Sequence, residues 1–158
     1  MGRSTVVAVA GLVVWIAAPF AVAALGARFM PDAWFQGLRK PPWNPPGWVF
    51  GPVWTVLYAS MGVAAWLVWR EGGFAAHRVA LGLFGCQLLL NALWTPLFFG
   101  AHRPGLAFAD ITALWLVLIP TTMAFWSVRP LAGALLVPYV AWVTFAAALN
   151  FRIWQMNA

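Results

Sequence analysis

Five apolar stretches, at residues 5–27, 48–69, 79–99, 106–126 and 131–153, fill most of this 158-residue chain. Each is near the roughly 20 residues a helix needs to cross a bilayer. A backbone in hydrocarbon has no water to bond with, so spans of this length must satisfy their own N–H and C=O groups as helices. The expected fold class is all-α and integral to a membrane: one transmembrane domain over residues 1–158, a bundle of five helices. Charged residues make up 8% of the chain and hydrophobic ones 64%, against about 25% charged in a soluble domain. That leaves no soluble module to carry chemistry outside the membrane. The first stretch follows Arg3 but is too long for the apolar core of a cleavable leader, so it is expected to remain as the first span.

The one substantial gap, residues 28–47, contains Lys40-Pro41-Pro42-Trp43-Asn44-Pro45-Pro46-Gly47. Each proline fixes its own φ and restricts the residue before it, so this loop is stiff and extended or turn-like. Trp34, Phe35, Trp43 and Trp48 interleave with the prolines, although Trp48 at a span end equally suits an interfacial anchor. A braced aromatic loop of this kind is expected to fold over the bundle mouth. The other connections, 70–78, 100–105 and 127–130, are short, which makes consecutive helices antiparallel neighbours. Every span holds a proline, at Pro19, Pro52, Pro96, Pro120 or Pro138. Pro52 lies near a helix start, where its missing N–H costs little. Pro19, Pro120 and Pro138 lie deeper and should bend their helices, whether merely tolerated there or serving to open a cavity. No internal repeat aligns among the spans, against a repeat-built transporter.

The net charge of +6 comes from nine basic and three acidic residues. The basic ones cluster at span ends, which suits snorkelling into headgroups, and there is no soluble basic face for nucleic acid. Arg3, Arg70, Arg78 and Arg129 fall on one side, and Arg28, Arg39, Lys40, Arg103 and Arg152 on the other, too even a division to orient the bundle. Cys86 is the sole cysteine, so one chain can form neither a disulfide nor a cysteine metal site. His77 and His102 stand singly in loops, and no carboxylate cluster has metal-ligand spacing. Hydrolytic and metal-dependent chemistry is therefore not expected. Asp110, the only acid within a span, follows Pro104 and Arg103 near a helix start that favours negative charge, and a structural role is expected for it.

Three spans carry aromatic and polar residues at helical spacing: Trp54, Tyr58, Met61 and Ala65; Gln87, Asn91, Trp94 and Phe98; Tyr139, Trp142, Ala146 and Asn150. Gln87 and Asn91 would be unsatisfied facing lipid, so they bond between helices or meet a ligand. Aromatic walls with a few convergent polar groups suit a flat, largely apolar ligand. Tryptophans are the redox-capable side chains present in quantity. On another side of the third span Gly82, Gly85 and Cys86 offer small residues to a second helix.

The stretch from Lys40 through Trp48-Val49-Phe50 into Pro52-Val53-Trp54-Thr55-Val56-Leu57-Tyr58, with Gln87-Leu88-Leu89-Leu90-Asn91-Ala92-Leu93-Trp94 and Pro138-Tyr139-Val140-Ala141-Trp142, resembles the TspO/MBR family, the translocator protein group. The resemblance covers most of the chain and looks bacterial, which implies a bacterial membrane. It implies five helices with a Pro/Trp-rich loop between helices one and two, commonly a homodimer. It also implies a binder of porphyrins such as protoporphyrin IX, with no obligate cofactor, acting as sensor, scavenger or carrier. Light-dependent porphyrin breakdown and sterol or lipid translocation are the alternatives. By resemblance Trp54 and Trp142 match the tryptophans tied to porphyrin binding and photochemistry. Asn91 and Ala146 match pocket positions, and Trp43, Tyr58, Gln87, Trp94 and Tyr139 complete the expected site. Arg39 and Lys40 at the lid are candidate partners for porphyrin carboxylates, or else headgroup contacts. The sterol motif of animal members needs Tyr where Leu149-Asn150-Phe151-Arg152 has Phe151, so it is incomplete here.

Overall fold

In the computed structural model, residues 4–158 are described; Arg3, counted above at the head of the first span, lies outside them. The chain runs through α1 (Thr5–Gly26), α2 (Ala33–Gly37), a 3-10 turn (Gly47–Val49), α3 (Phe50–Arg70), α4 (Gly73–Ala76), α5 (Arg78–Thr95), a π turn (Pro96–Gly100), α6 (Pro104–Val128) and α7 (Pro130–Asn157). Five helical segments are long and apolar enough to cross a membrane: Thr5–Gly26, Gly47–Arg70, Arg78–Gly100, Pro104–Val128 and Pro130–Asn157. The protein is a multi-pass membrane bundle.

The spans agree with the apolar stretches to within a few residues at most ends. α7 runs on past residue 153 to Asn157, because polarity marks where lipid ends and not where helix ends. Two short helices were not legible as such. α2 forms inside the lid because the Asp32 carboxylate accepts the Phe35 N–H at 3.1 Å, a side-chain N-cap, before the first proline of the Pro/Trp run intervenes. α4 turns the chain between α3 and α5, with Gly73 at φ 76°, a left-handed conformation that glycine adopts without a Cβ clash.

Three prolines sit within unbroken helices: Pro19 in α1, Pro120 in α6 and Pro138 in α7. Pro96 behaves differently. It ends α5 and opens the π turn, whose wider loop closes when the Ala101 N–H reaches back to the Pro96 carbonyl at 2.8 Å.

The long helices form a ring in the order α1, α3, α7, α6, α5, with α1 packing against both α3 and α5. This departs from simple chain-order neighbours: α3 and α5, though joined by a short connection, touch each other only lightly. α1 approaches α3 closely at Gly62, where an added Cβ would fall 2.6 Å from the Ile16 Cα. The Trp66 indole N–H also bonds the Ala8 carbonyl at 2.8 Å, so α1 is fastened to α3 along its length. The main core joins α3, α5, α6 and α7 around Met61, Phe84, Leu118, Phe125 and Tyr139. A second core lies at the lid end, where Phe98, Ala107, Leu149 and Ile153 receive Trp34, Phe35 and Leu38 from the loop. The proline-rich loop is thus packed onto the bundle end, as its aromatic content suggests.

Candidate ligand-binding cavity

Beneath the lid the ring encloses a cavity of about 1040 Å³, at the upper end of the roughly 300–1,000 Å³ usual for small-molecule sites. Its floor and walls come from all five spans. α3 contributes Trp54, Thr55 and Tyr58, α5 contributes Asn91, Trp94 and Thr95, and α7 contributes Trp142, Val143 and Ala146. The lid supplies Pro31, Phe35, Gln36, Lys40 and the run from Asn44 to Trp48.

A chain of three hydrogen bonds fixes the polar part of the wall. The Tyr58 hydroxyl donates to Asn91 Oδ1, Asn91 Nδ2 donates to the Tyr139 hydroxyl, and that hydroxyl donates to Gln87 Oε1, each at 2.8 Å. The chain ties α3, α5 and α7 together at one level of the membrane. Gln87 and Tyr139 are fully buried, so they stand behind the cavity and brace it, while Tyr58 and Asn91 face it. The two readings of the amides therefore divide: Gln87 bonds between helices, and Asn91 does so while also bordering the cavity.

The aromatics are similarly layered. Trp54 stacks on Tyr58 with centroids 5.2 Å apart and meets Tyr139 edge-on at 6.2 Å. Trp142 is held by Phe50 at 5.8 Å and Phe145 at 5.4 Å. Its buried indole N–H has no protein partner. Trp94 stacks on Phe98 at 5.0 Å and donates to Asn150 Oδ1 at 2.9 Å; Asn150 in turn donates to the Pro104 carbonyl at 2.8 Å. Trp43 does not border the cavity. It packs edge-on to Phe145 of α7 at 5.8 Å and is half-exposed.

The lid cations are placed differently from a carboxylate clamp. Lys40 borders the cavity, but its ammonium donates to the carbonyls of Phe35 at 2.6 Å, Leu38 at 3.1 Å and Gln36 at 3.4 Å, and sits 4.5 Å over the Phe35 ring. Three acceptors use its three hydrogens, so it caps the C-terminus of α2. Arg39 is outside the cavity wall, and both its backbone groups are taken by Asn157. Asn157 Oδ1 accepts the Arg39 N–H and Nδ2 donates to the Arg39 carbonyl, each at 2.9 Å.

Two further residues singled out in the sequence have these surroundings. Asp110 is buried in α6, takes part in neither ion pair of the described residues, and its Oδ2 has no hydrogen-bond partner. His102 is not solitary: Nε2 lies 2.9 Å from Asp32 Oδ2, and its ring stacks on Trp34 at 4.3 Å. This holds the Asp32 carboxyl below its ordinary range, chiefly through the Phe35 N–H and secondarily through His102.

Sequence reasoning missed the contribution of α1, whose Phe20, Ala23, Gly26 and Ala27 line the cavity. α1 is apolar on every side, so nothing distinguishes its cavity face from its lipid face. Ile111 and Leu114 of α6 were missed for the same reason.

The TspO/MBR family model matches residues 12–155. The chain is 46% identical to the translocator protein of Homo sapiens over 138 residues, 84% of this chain and 82% of that one. It is 43% identical to Protein CrtK of Rhodobacter capsulatus, covering 85% of this chain and 84% of that one. It is also 43% identical to the tryptophan-rich sensory protein of Cereibacter sphaeroides, over 90% of this chain and 89% of that one.

Proposed function

The chain belongs to the TspO/MBR family, and from that premise we propose a membrane sensor or translocator that binds a flat tetrapyrrole such as protoporphyrin IX. The names of its relatives, translocator protein and tryptophan-rich sensory protein, support the sensor or translocator part. The observation that carries the ligand class is the cavity: about 1040 Å³, lined by Trp54, Trp94 and Trp142, with Tyr58 and Asn91 as its ordered polar edge. Aromatic faces favour an extended π ligand, since offset or edge contacts each add about 0.5–1.5 kcal/mol beyond burial. The polar groups are few enough to orient such a ligand without demanding a charged one.

Titration of the purified protein with protoporphyrin IX, followed by tryptophan fluorescence, tests this reading. Saturable quenching that weakens when Ala146→Trp fills the cavity is the expected result. Non-saturable quenching, equal in parent and variant, would refute it.

A second reading, light-driven porphyrin breakdown, is favoured by one observation: Trp54 and Trp142 both border the cavity. The indole would supply an electron to the photo-excited ring. Porphyrin absorbance lost only under illumination, and only with protein present, distinguishes this reading from binding alone.

A further inference from the structure

Besides the aromatic packing of Trp34, Phe35 and Trp43 on the bundle, polar contacts hold the lid at two edges. One is the Asn157 clasp on Arg39, in which both backbone groups are used. The other joins α2 to the connection between the π turn and α6, and it is made of side chains alone. There His102 Nε2 meets Asp32 Oδ2 at 2.9 Å, and the imidazole lies flat on Trp34, 4.3 Å between centroids and 17° between planes. His102 is also the one non-glycine residue at positive φ among the described residues, at 55°. Such a backbone is uncommon for a residue with a Cβ and persists only where its surroundings impose it. Here the Ala101 N–H bonds Pro96 O at 2.8 Å and the Arg103 N–H bonds Leu97 O at 3.1 Å, which presents the ring to the lid from a fixed frame.

We propose that Asp32, Trp34 and His102 form a releasable catch that holds the lid over the cavity and sets how long a ligand stays, with the charge of the imidazole as its control. This rests on the cavity being the ligand site. His102 does not line the cavity and acts through α2, which carries Phe35 and Gln36 of the cavity wall; it is a positioning residue.

The chemistry of the pair gives the direction. Asp32 also accepts the Phe35 N–H through its other oxygen, so one carboxylate both starts α2 and engages the histidine. A neutral imidazole offers this carboxylate one hydrogen bond, and an imidazolium adds a charge pair. The other charged side chains on this face are the cations Arg28, Arg39, Lys40, Arg103 and Arg152. Asp32 is the only described Asp or Glu at the surface of this face, since Asp110 lies within α6 and Glu71 pairs with Arg129 at the opposite end. Histidine side chains change charge between about pH 5 and 8, so lid closure is tightest at the acid end of that range and loosens toward pH 8.

The test uses the full chain in nanodiscs with protoporphyrin IX. Stopped-flow dissociation from the parent should slow on going from pH 8 to pH 6. In His102→Asn, whose side chain tolerates the left-handed backbone, dissociation should be about three- to tenfold faster at pH 6, the worth of one hydrogen bond, and independent of pH. Asp32→Asn keeps the helix cap but removes the charge, and should flatten the pH profile while α2 stays folded. Parental rates and an unchanged pH profile in both variants would overturn the catch. Hydrogen exchange of the α2 amides without ligand separates this outcome from failure of the binding reading. Faster exchange in His102→Asn, even if protoporphyrin IX does not bind, upholds the catch. Exchange equal to the parent overturns it.

Discussion

The Tyr139 hydroxyl is the centre of the buried polar chain, taking a hydrogen from Asn91 and giving one to Gln87. Gln87 already has an unpartnered Nε2. Tyr139→Phe would strand its Oε1 as well, at a cost of about 1–3 kcal/mol. Tyr58→Phe removes a donor to Asn91 at the cavity edge, where water or ligand can replace it, and should cost less. Thermal unfolding in detergent checks the order: Tyr139→Phe should melt clearly below Tyr58→Phe. For the photochemical reading, Trp54→Phe and Trp142→Phe keep an aromatic of similar reach. Light-driven porphyrin loss should fall sharply while dark binding changes little, and parental rates in both would remove the redox role. Residues such as Asn91 and Trp142 stand out in the sequence because polar and indole groups are conspicuous in an apolar span. The Asp32–His102 pair was illegible, because its partners lie 70 residues apart and only the fold of the lid brings them together.

The five spans were legible because length and hydropathy alone define them, whereas the ring order was not, since α1 is too uniformly apolar to announce which neighbours it meets. Gly62 is where that ambiguity is resolved in the structure. Gly62→Ala would drive a methyl against the Ile16 backbone and should cost about 1–3 kcal/mol by overpacking. Gly82→Ala, with nothing within 4 Å of the new Cβ, should be near neutral, so the pair measured by denaturation in detergent checks the α1–α3 contact. α2 makes a pH prediction. Because the Asp32 carboxyl is held below its ordinary value of 3.8, chiefly by the Phe35 N–H, its contribution is present above that value. It is lost as pH falls through the lowered one. Exchange of the α2 amides should rise selectively in strong acid in the parent, and much less so in Asp32→Asn, whose cap does not titrate.

At the scale of the molecule, α5 presents two unlike faces. One carries Gln87, Asn91 and Trp94 inward; the other holds the exposed Cys86 with Gly82 and Gly85, where an added Cβ would meet nothing within 4 Å. We expect a homodimer through the outer face, since small residues let helices approach closely in lipid. Gly82→Leu should shift crosslinked species toward monomer without changing ligand affinity, and an unaltered dimer would place the contact elsewhere.

α7 joins two parts of the protein that are usually separate. Its middle carries Trp142 against the ligand space, and at its last turn Asn157 grips the lid backbone at Arg39. One continuous helix therefore carries both a wall of the ligand space and the anchor of the lid, so the inside of the bilayer and its water-facing surface share a single support.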